Sequence, residues 1–297
     1  MRYKVHSNVH QGALLVAISA ISFGFLPIFA KFVYASGMDV FSMLFLRFSL
    51  GSFFLLLTLR IRNMLNIPPR RILLDLALLG GIGYFLQSIF YLSSIRYIPA
   101  SVAVLLLYTF PPIVAVMSYA MHIDVITRKS VVAIIIGFIG LFLVANPSYN
   151  LNLLGILLAL GASFVYSNYI VFSSKTLKEI QGELGSLFVM AFASLSFFII
   201  SMFNGFHFNF YGFIWSCIMA LVSTAIAITT FFMGLRLIGP TNTSIISLLE
   251  PVTTIVLSFL IFYESLNLMQ DIGAIFIILA AGIISIKNKK SNSRYVR

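Results

Sequence analysis

Charged side chains are scarce in this sequence. Its 297 residues include 19 Lys and Arg and 8 Asp and Glu, so that only 9% are charged, whereas an ordinary soluble domain has about 25%. Hydrophobic residue types make up 60%. So few charges cannot cover the surface of a water-soluble protein, while a surface in contact with lipid needs no such cover. The composition therefore excludes a soluble globular protein and predicts an integral membrane protein.

Cysteine pairs and catalytic sequence motifs are also missing. The single cysteine, Cys217, lies in an apolar stretch, which excludes a disulfide framework and a Cys-x-x-Cys metal or redox site. His-Glu-x-x-His, Gly-x-Ser-x-Gly and the phosphate-binding Gly-x-x-x-x-Gly-Lys-Ser/Thr pattern do not occur. We therefore predict no enzymatic activity, no catalytic residue, no metal and no cofactor. Because the chain has no room for an ATP-binding domain, we expect any transport to be driven by gradients.

Long apolar runs recur along the whole chain, and a membrane-spanning helix needs about 20 such residues. The runs cover residues 12–34, 40–59, 72–95, 99–121, 130–145, 153–173, 184–203, 211–235, 240–262 and 272–286. The first run is too long for the apolar core of a cleaved signal peptide, and we expect it to be retained. The runs predict an all-α integral membrane protein with ten transmembrane helices and short loops.

Lysine and arginine are distributed unevenly between alternate loops. One side holds sixteen of the nineteen basic residues, in both terminal segments and in loops such as those around Arg60, Arg128 and Lys175. The other side holds Lys31 and Arg96. Because basic loops stay on the cytoplasmic side of a membrane, both termini are predicted to be cytoplasmic. This topology accounts for much of the net charge of +11, so no nucleic-acid partner is needed to explain it.

The chain is similar to itself at a fixed offset. A shift of 140 places residues 96–111 on residues 236–251, with Arg on Arg and Pro on Pro, and a shift of about 143 aligns the starts of the first and sixth spans. We predict two five-helix repeats, residues 1–149 and residues 150–297. An odd number of helices turns the second repeat over in the membrane, as in the inverted repeats of secondary transporters. The expected architecture is two inverted five-helix repeats around a central cavity.

Prolines occur at matching places in the two repeats. Pro111 with Pro112, and Pro251, fall at mid-span, where proline removes a backbone hydrogen bond and bends a helix. Their paired positions favour hinges beside a cavity, although membrane helices also accept proline without such a role. We predict Pro111, Pro112 and Pro251 as hinge residues.

Two charged residue types, Arg47 and Glu250, lie near the middle of the membrane in the predicted spans. A charge at that depth costs several kcal/mol unless it is paired, protonated or in contact with water. Glu250 must therefore face protein or a cavity. Three interpretations stay open: a structural ion pair with Arg47, a carboxyl group that couples transport to a proton, and a local role at Pro251.

Polar and aromatic side chains recur at helical spacing on several spans, which places each set on one helix face. Small-molecule sites are mostly apolar with a few hydrogen-bonding groups. We therefore predict a substrate cavity lined by Phe23, Pro27, Tyr84, Gln87, Tyr91, Tyr108, Tyr166, Ser247 and Glu250. For each residue alone the alternative is helix packing or anchoring at the membrane surface. Small residues in the fifth and tenth spans favour close packing against a neighbour or a second subunit, which leaves monomer and homodimer open.

The chain resembles the drug/metabolite transporter superfamily, and within it the ten-helix EamA type. The resemblance rests on the two five-helix halves, residues 22–31 of the first span, Arg47 in the second span, and Leu249-Glu250-Pro251 followed by Glu264. It implies a helical bundle whose central cavity is lined mainly by the first, third, fourth, sixth, eighth and ninth helices. It also implies exchange or export of amino acids or other small metabolites across the bacterial inner membrane.

The sequence departs from the family pattern in two places. The first half reads Phe110-Pro111-Pro112 with Asp124, so that it keeps the proline but lacks the glutamate. The first-span pattern of the family usually has a tryptophan before the glycine, where this chain has Phe23. This second departure puts any ligand contact that is specific to tryptophan in doubt.

We expect a secondary transporter that exports a small, partly apolar metabolite such as an amino acid. The expected partners are that substrate and membrane lipid. Two alternatives within transport are uptake or exchange of a nucleotide-like or cofactor metabolite, and efflux of lipophilic cations. An anionic ligand would need Arg47, whereas a cation could use Glu250. A non-transporting membrane receptor is a more remote alternative, because the chain has no soluble sensory domain.

Overall fold

The computed structural model describes residues 9–98, 100–145, 152–263 and 268–285, and all regular secondary structure in these residues is helical. We number ten helices and count a bent helix once. They are α1 (Val9–Ala35), α2 (Val40–Ile61), α3 (Arg70–Ser94), α4 (100–120), α5 (Arg128–Ala145), α6 (Leu153–Thr176), α7 (Gly182–Asn204), α8 (210–238), α9 (240–262) and α10 (Leu268–Ser285). The all-α prediction is confirmed, and each helix lies within a few residues of its predicted bounds.

Eight continuous segments of the described residues are long and apolar enough to cross a membrane. The number differs from ten because Phe210–Ile246 is continuous apart from Gly239, whose dihedral angles (φ 79°, ψ 168°) are not helical. Gly239 therefore divides this segment into α8 and α9. The second helix that the eight segments do not account for is α5, which has 18 residues. That all ten helices cross the membrane stays a prediction.

Asp or Asn side chains cap the N-termini of three of the helices. Asp39 accepts hydrogen bonds from the N–H groups of Phe41 and Ser42 at the start of α2. Asn152 and Asn209 do the same for α6 and α8. These oxygens satisfy N–H groups that have no partner within the helix, so each loop ends at a fixed residue.

Three helices are interrupted just before a proline. The interruptions lie at Phe25 in α1, at residues 108–109 in α4 and at residues 247–248 in α9. In each case the proline, which is Pro27, Pro111 or Pro251, falls in the first turn of the helix that follows, where its missing N–H costs little.

Two further irregularities were not predicted. Leu78–Tyr84 in α3 and Leu221–Ile226 in α8 are π-helical. Their first residues are 143 positions apart, which is the offset that aligns the starts of the first and sixth spans. π-Helical turns are rare and occur frequently at functional sites.

The small residues of α5 and α10 serve contact within the chain. A Cβ atom on Gly137 would lie 2.7 Å from Leu248 Cδ1 and 3.4 Å from the Ala280 Cβ atom. Ala280 is fully buried, and Ala281 nearly so. Of the two options left open by the sequence, close packing against a neighbouring helix is therefore the one that the structure shows. The oligomeric state stays a prediction.

Candidate functional site

A cavity of about 440 Å³ lies between the interrupted helices, within the usual range of roughly 300–1,000 Å³ for small-molecule sites. Eight of the nine residues predicted for a substrate cavity line it, and so do Arg47 and Pro251. These eight are Phe23, Pro27, Tyr84, Gln87, Tyr91, Tyr108, Tyr166 and Glu250. Their assignment as substrate contacts stays a prediction, but the sequence pattern did select side chains that the fold brings together.

Three predicted site residues are not among the lining side chains. Ser247 is buried, and its hydroxyl donates to the Thr243 carbonyl 2.9 Å away, so its polarity is satisfied within its own helix. Pro111 and Pro112 lie at the start of the second part of α4, next to the lining residue Phe110. Their hinge role stays a prediction.

Several lining residues were missing from the predicted set. Ser88 lies four residues after the predicted residue Tyr84, so the helical spacing could have identified it. Apolar lining residues such as Leu92, Val104 and Ile255 gave no such signal, because nearly every position in these spans is apolar. Gln270, at the start of α10, is polar, but no polar residue follows it at helical spacing in α10 to mark a polar face.

The cavity extends toward the side that carries few basic residues. Tyr34, near the end of α1, and Gln270, near the start of α10, both line it, and Tyr34 is 44% exposed. On the opposite, basic side Asp124 contacts the start of α9: its Oδ2 accepts a hydrogen bond from the Thr241 N–H at 3.4 Å. If the basic loops are cytoplasmic, the structure has its cavity facing outward.

Arg47 is anchored at the cavity wall by three hydrogen bonds to two other helices. Its Nε donates to Thr224 Oγ1 (2.8 Å), and its Nη2 donates to the Ser223 carbonyl (3.2 Å) and to the Tyr84 hydroxyl (3.3 Å). The side chain is 3% exposed. Among the described residues, no ion pair within 4.0 Å joins Arg47 to Glu250. The ion-pair interpretation is thus not the arrangement in this structure.

Glu250 lies where the interruptions of α4 and α9 meet. Its carboxyl group interacts with Tyr108, which is at the interruption of α4, and lies within electrostatic range of Arg47. The side chain is half-buried and lines the cavity. It is therefore placed to accept a ligand ammonium group or a proton, in mostly apolar surroundings where such an interaction is strong.

Aromatic rings form a continuous row, in which Tyr84, Tyr108, Phe110 and Tyr166 line the cavity and Tyr169 is buried behind them. Ring centroids are 5.5 Å apart for Tyr108 and Phe110, 4.8 Å for Phe110 and Tyr166, and 5.9 Å for Tyr166 and Tyr169. Tyr84 continues the row at 5.6 Å from Tyr169. Such a wall offers apolar contact, ring faces for a cation and phenol groups for hydrogen bonds. Within the described part of the chain, no group of three His, Cys, Asp or Glu residues could hold a metal ion.

Known proteins share the sequence pattern and the fold of this chain. A family model described as "EamA-like transporter family" matches residues 10–146 and again residues 153–286. The chain is similar to an uncharacterized transporter of Archaeoglobus fulgidus, with 26% identity over 92% of this chain and 95% of that protein. It is also similar to an uncharacterized transporter of Clostridium kluyveri, with 25% identity over 95% of each chain. A solved crystal structure has the same fold, with a TM-score of 0.79 at 17% identity over 92% of this chain and 96% of that chain.

Proposed function

We propose that this chain, which belongs to the EamA-like transporter family of the drug/metabolite transporter superfamily, is a secondary transporter that exports small, partly apolar metabolites such as amino acids. The family is one of membrane transporters and not of enzymes. The observation that carries the proposal is the cavity itself, because it combines one carboxyl group with a largely apolar, aromatic lining and borders three interrupted helices. We assign the protein to the bacterial inner membrane with both termini in the cytoplasm.

Two inverted five-helix repeats would provide alternating access. Four observations support them: the two matches of one family model, the π-helical segments at a constant offset, the interruptions before Pro111 and Pro251, and the helix pairing. In that pairing α1 packs mainly on α8 and the start of α9, and α3 packs on α6, as two copies of one arrangement would. We place the boundary between residues 149 and 150. The second repeat would then be the first one turned over in the membrane.

Five of the cavity residues have a role in substrate binding in this proposal. Glu250 receives the ammonium group of the substrate or a proton. Phe23, Tyr91 and Tyr166 contact its apolar part, and Gln87 offers a hydrogen bond. The prolines beside the cavity allow the second parts of α4 and α9 to tilt, since a helix that is already interrupted can bend there without losing further hydrogen bonds.

Efflux of lipophilic cations is a second candidate, favoured by a specific observation. A carboxyl group in a lining rich in Tyr and Phe is suited to an organic cation as well as to an amino acid. A nucleotide-like anion fits less well, because three donors of the Arg47 guanidinium are already engaged by Thr224, Ser223 and Tyr84.

Counterflow in proteoliposomes tests the proposal and separates the two candidates. Vesicles containing the purified protein are loaded with unlabelled phenylalanine, leucine, threonine and lysine, and uptake of each labelled amino acid is measured. A parallel set uses tetraphenylphosphonium. Accumulation of an amino acid above that of protein-free vesicles supports amino-acid transport, whereas accumulation of tetraphenylphosphonium alone supports the second candidate. Absence of counterflow for every probe contradicts both.

A further inference from the structure

The π-helical segments of α3 and α8 are each held by a helix from the other half of the chain. Leu78–Tyr84 packs against α7, where the Ser196 hydroxyl donates to the Gly81 carbonyl at 2.8 Å. A Cβ atom on Gly80 would lie 2.2 Å from the Val189 carbonyl oxygen, so the two backbones are in direct contact. π-Helical turns shift the backbone hydrogen-bond pattern, and a side chain from a neighbouring helix here satisfies a carbonyl.

The second segment, Leu221–Ile226, packs against α2 in the same way. A Cβ atom on Gly51 would lie 3.0 Å from Thr224 Cγ2. The polar partner on this side is Arg47, which donates to the Thr224 hydroxyl and the Ser223 carbonyl. Each π-helical segment therefore has one closely packed helix and one polar side chain that supports it.

The two supporting side chains, Ser196 and Arg47, differ in how many of the π-helical segments they contact. Ser196 forms a hydrogen bond with the first segment only. Arg47 forms hydrogen bonds with both segments, because its Nη2 lies 3.2 Å from the Ser223 carbonyl oxygen and 3.3 Å from the hydroxyl of Tyr84, the last residue of the first segment. The network continues to α1, because the Ser223 hydroxyl donates to the Ser22 carbonyl at 2.7 Å, shortly before the interruption of α1. One guanidinium thus joins irregular parts of helices that surround the cavity.

We propose that Arg47 is a positioning residue for transport, which fixes the register of both π-helical segments so that α3 and α8 move together when the cavity changes its exposure. The planar guanidinium suits this role, because its donors have fixed relative directions and can bond two helices at a defined separation. A π-helical segment is a place where a helix can change direction locally. Without the hydrogen bonds of Arg47, the two π-helical segments would change their conformation independently of each other.

Hydrogen exchange in lipid nanodiscs tests the link without knowledge of the substrate. The variants are Arg47→Met, which removes all three bonds, and Tyr84→Phe, which removes only the bond to the first segment. Ser196→Ala is the matched control, because it removes a support of the first segment and leaves Arg47 untouched. Peptides that cover residues 78–84 and 221–226 are followed by mass spectrometry.

We expect Arg47→Met and Tyr84→Phe to accelerate exchange in both segments, by about threefold per lost interhelical hydrogen bond, and Ser196→Ala to accelerate it in residues 78–84 alone. Exchange that changes only in residues 221–226 for Arg47→Met, or only in residues 78–84 for Tyr84→Phe, would overturn the proposal. Tyr84→Phe decides the matter if Arg47→Met does not fold, because it keeps Arg47 and its bonds to the second segment.

A second measurement separates positioning from general stability. Gln87→Cys, in a Cys217→Ala background, places a thiol in the cavity, and its reaction rate with a membrane-impermeant methanethiosulfonate reports outward exposure. We expect Tyr84→Phe to slow this reaction at an unchanged melting temperature, because the outward-facing arrangement needs both segments in register. An unchanged rate would show that Arg47 contributes only to stability. Neither measurement depends on the transport assay, so failure of the proposed function would not affect them.

Discussion

Gly140 of α5 and Gly273 of α10 lie against each other's backbone. A Cβ atom on Gly140 would be 2.6 Å from the Gly273 carbonyl oxygen, and one on Gly273 would be 2.5 Å from the Gly140 carbonyl oxygen. Both distances are too short for any side chain, so this crossing requires glycine in both helices. Membrane helices that lack a hydrophobic driving force associate through such close packing.

We therefore expect Gly140→Ala and Gly273→Ala each to lower the melting temperature in detergent, because the added methyl groups force α5 and α10 apart. The control is Gly282→Ala, where no heavy atom lies within 4 Å of the added Cβ. Similar melting temperatures for Gly273→Ala and Gly282→Ala would contradict the contact.

Gly239 is a further position where glycine is required, here for its backbone conformation. Its backbone angles (φ 79°, ψ 168°) fall in a region that is essentially restricted to glycine, and a Cβ atom there would lie 3.0 Å from Asp124 Oδ2. We expect Gly239→Ala to destabilise the protein by about 1–3 kcal/mol. Gly37→Ala is the control, since Gly37 has a positive φ of 85° but no neighbour within 4 Å. Thermal unfolding should show the larger loss for Gly239→Ala, and an equal loss would mean that the Asp124 contact does not matter.

Glu250 provides a test of proton coupling. In counterflow measured between pH 5.5 and pH 8, proton coupling predicts that Glu250→Gln keeps exchange but loses its pH dependence, because the amide cannot bind a proton. Binding of the substrate ammonium group by Glu250 predicts instead that the variant loses exchange. Glu179→Gln is the control, since Glu179 is exposed outside the cavity lining. A pH profile of Glu250→Gln that matches the wild type would exclude Glu250 as the coupling residue.

Asp39 gives a pH dependence of stability on the side with few basic residues. Burial alone would raise its pKa, but hydrogen bonds from Ser42, from the Phe41 N–H and from His207 outweigh it and lower the pKa below the usual 3.8. A carboxyl group with a depressed pKa stabilises the folded state above its unfolded pKa, and this contribution disappears as the pH falls through the folded pKa.

Asp39→Ala should accordingly cost about 1 kcal/mol at neutral pH, which is typical of a lost N-cap, and progressively less below pH 4. Asn152→Ala removes a cap that does not titrate, and its cost should stay constant with pH. Unfolding measured at pH 7 and at pH 3 compares the two variants. A cost of Asp39→Ala that is the same at both values would contradict the role of the charge.

The general design of the candidate site could be predicted from the sequence. Tyr84, Gln87 and Tyr91 share a helix face because their spacing follows the helical period, and the depth of Glu250 required a cavity or a partner. Ser247 has the same spacing pattern, but its hydroxyl bonds its own helix, which spacing cannot distinguish. The π-helical segments gave no sequence signal, because Leu78–Tyr84 reads as an ordinary apolar helix.

The sequence by itself determined that lipid surrounds most of this protein, where its helices lie, and which residues need a partner or a cavity inside the membrane. A chain in which only 9% of the residues are charged requires lipid around most of its surface, and proline in the interior of a helix removes a backbone hydrogen bond. Only the tertiary structure decided the partners of Arg47. An isolated span cannot satisfy a guanidinium, and its choice of Thr224, Ser223 and Tyr84 over Glu250 depends on which helix backbones approach within hydrogen-bond distance. For α2 and α8 that approach is allowed by Gly51, whose added Cβ atom would lie 3.0 Å from Thr224 Cγ2, so packing between helices rather than local preference determines the geometry.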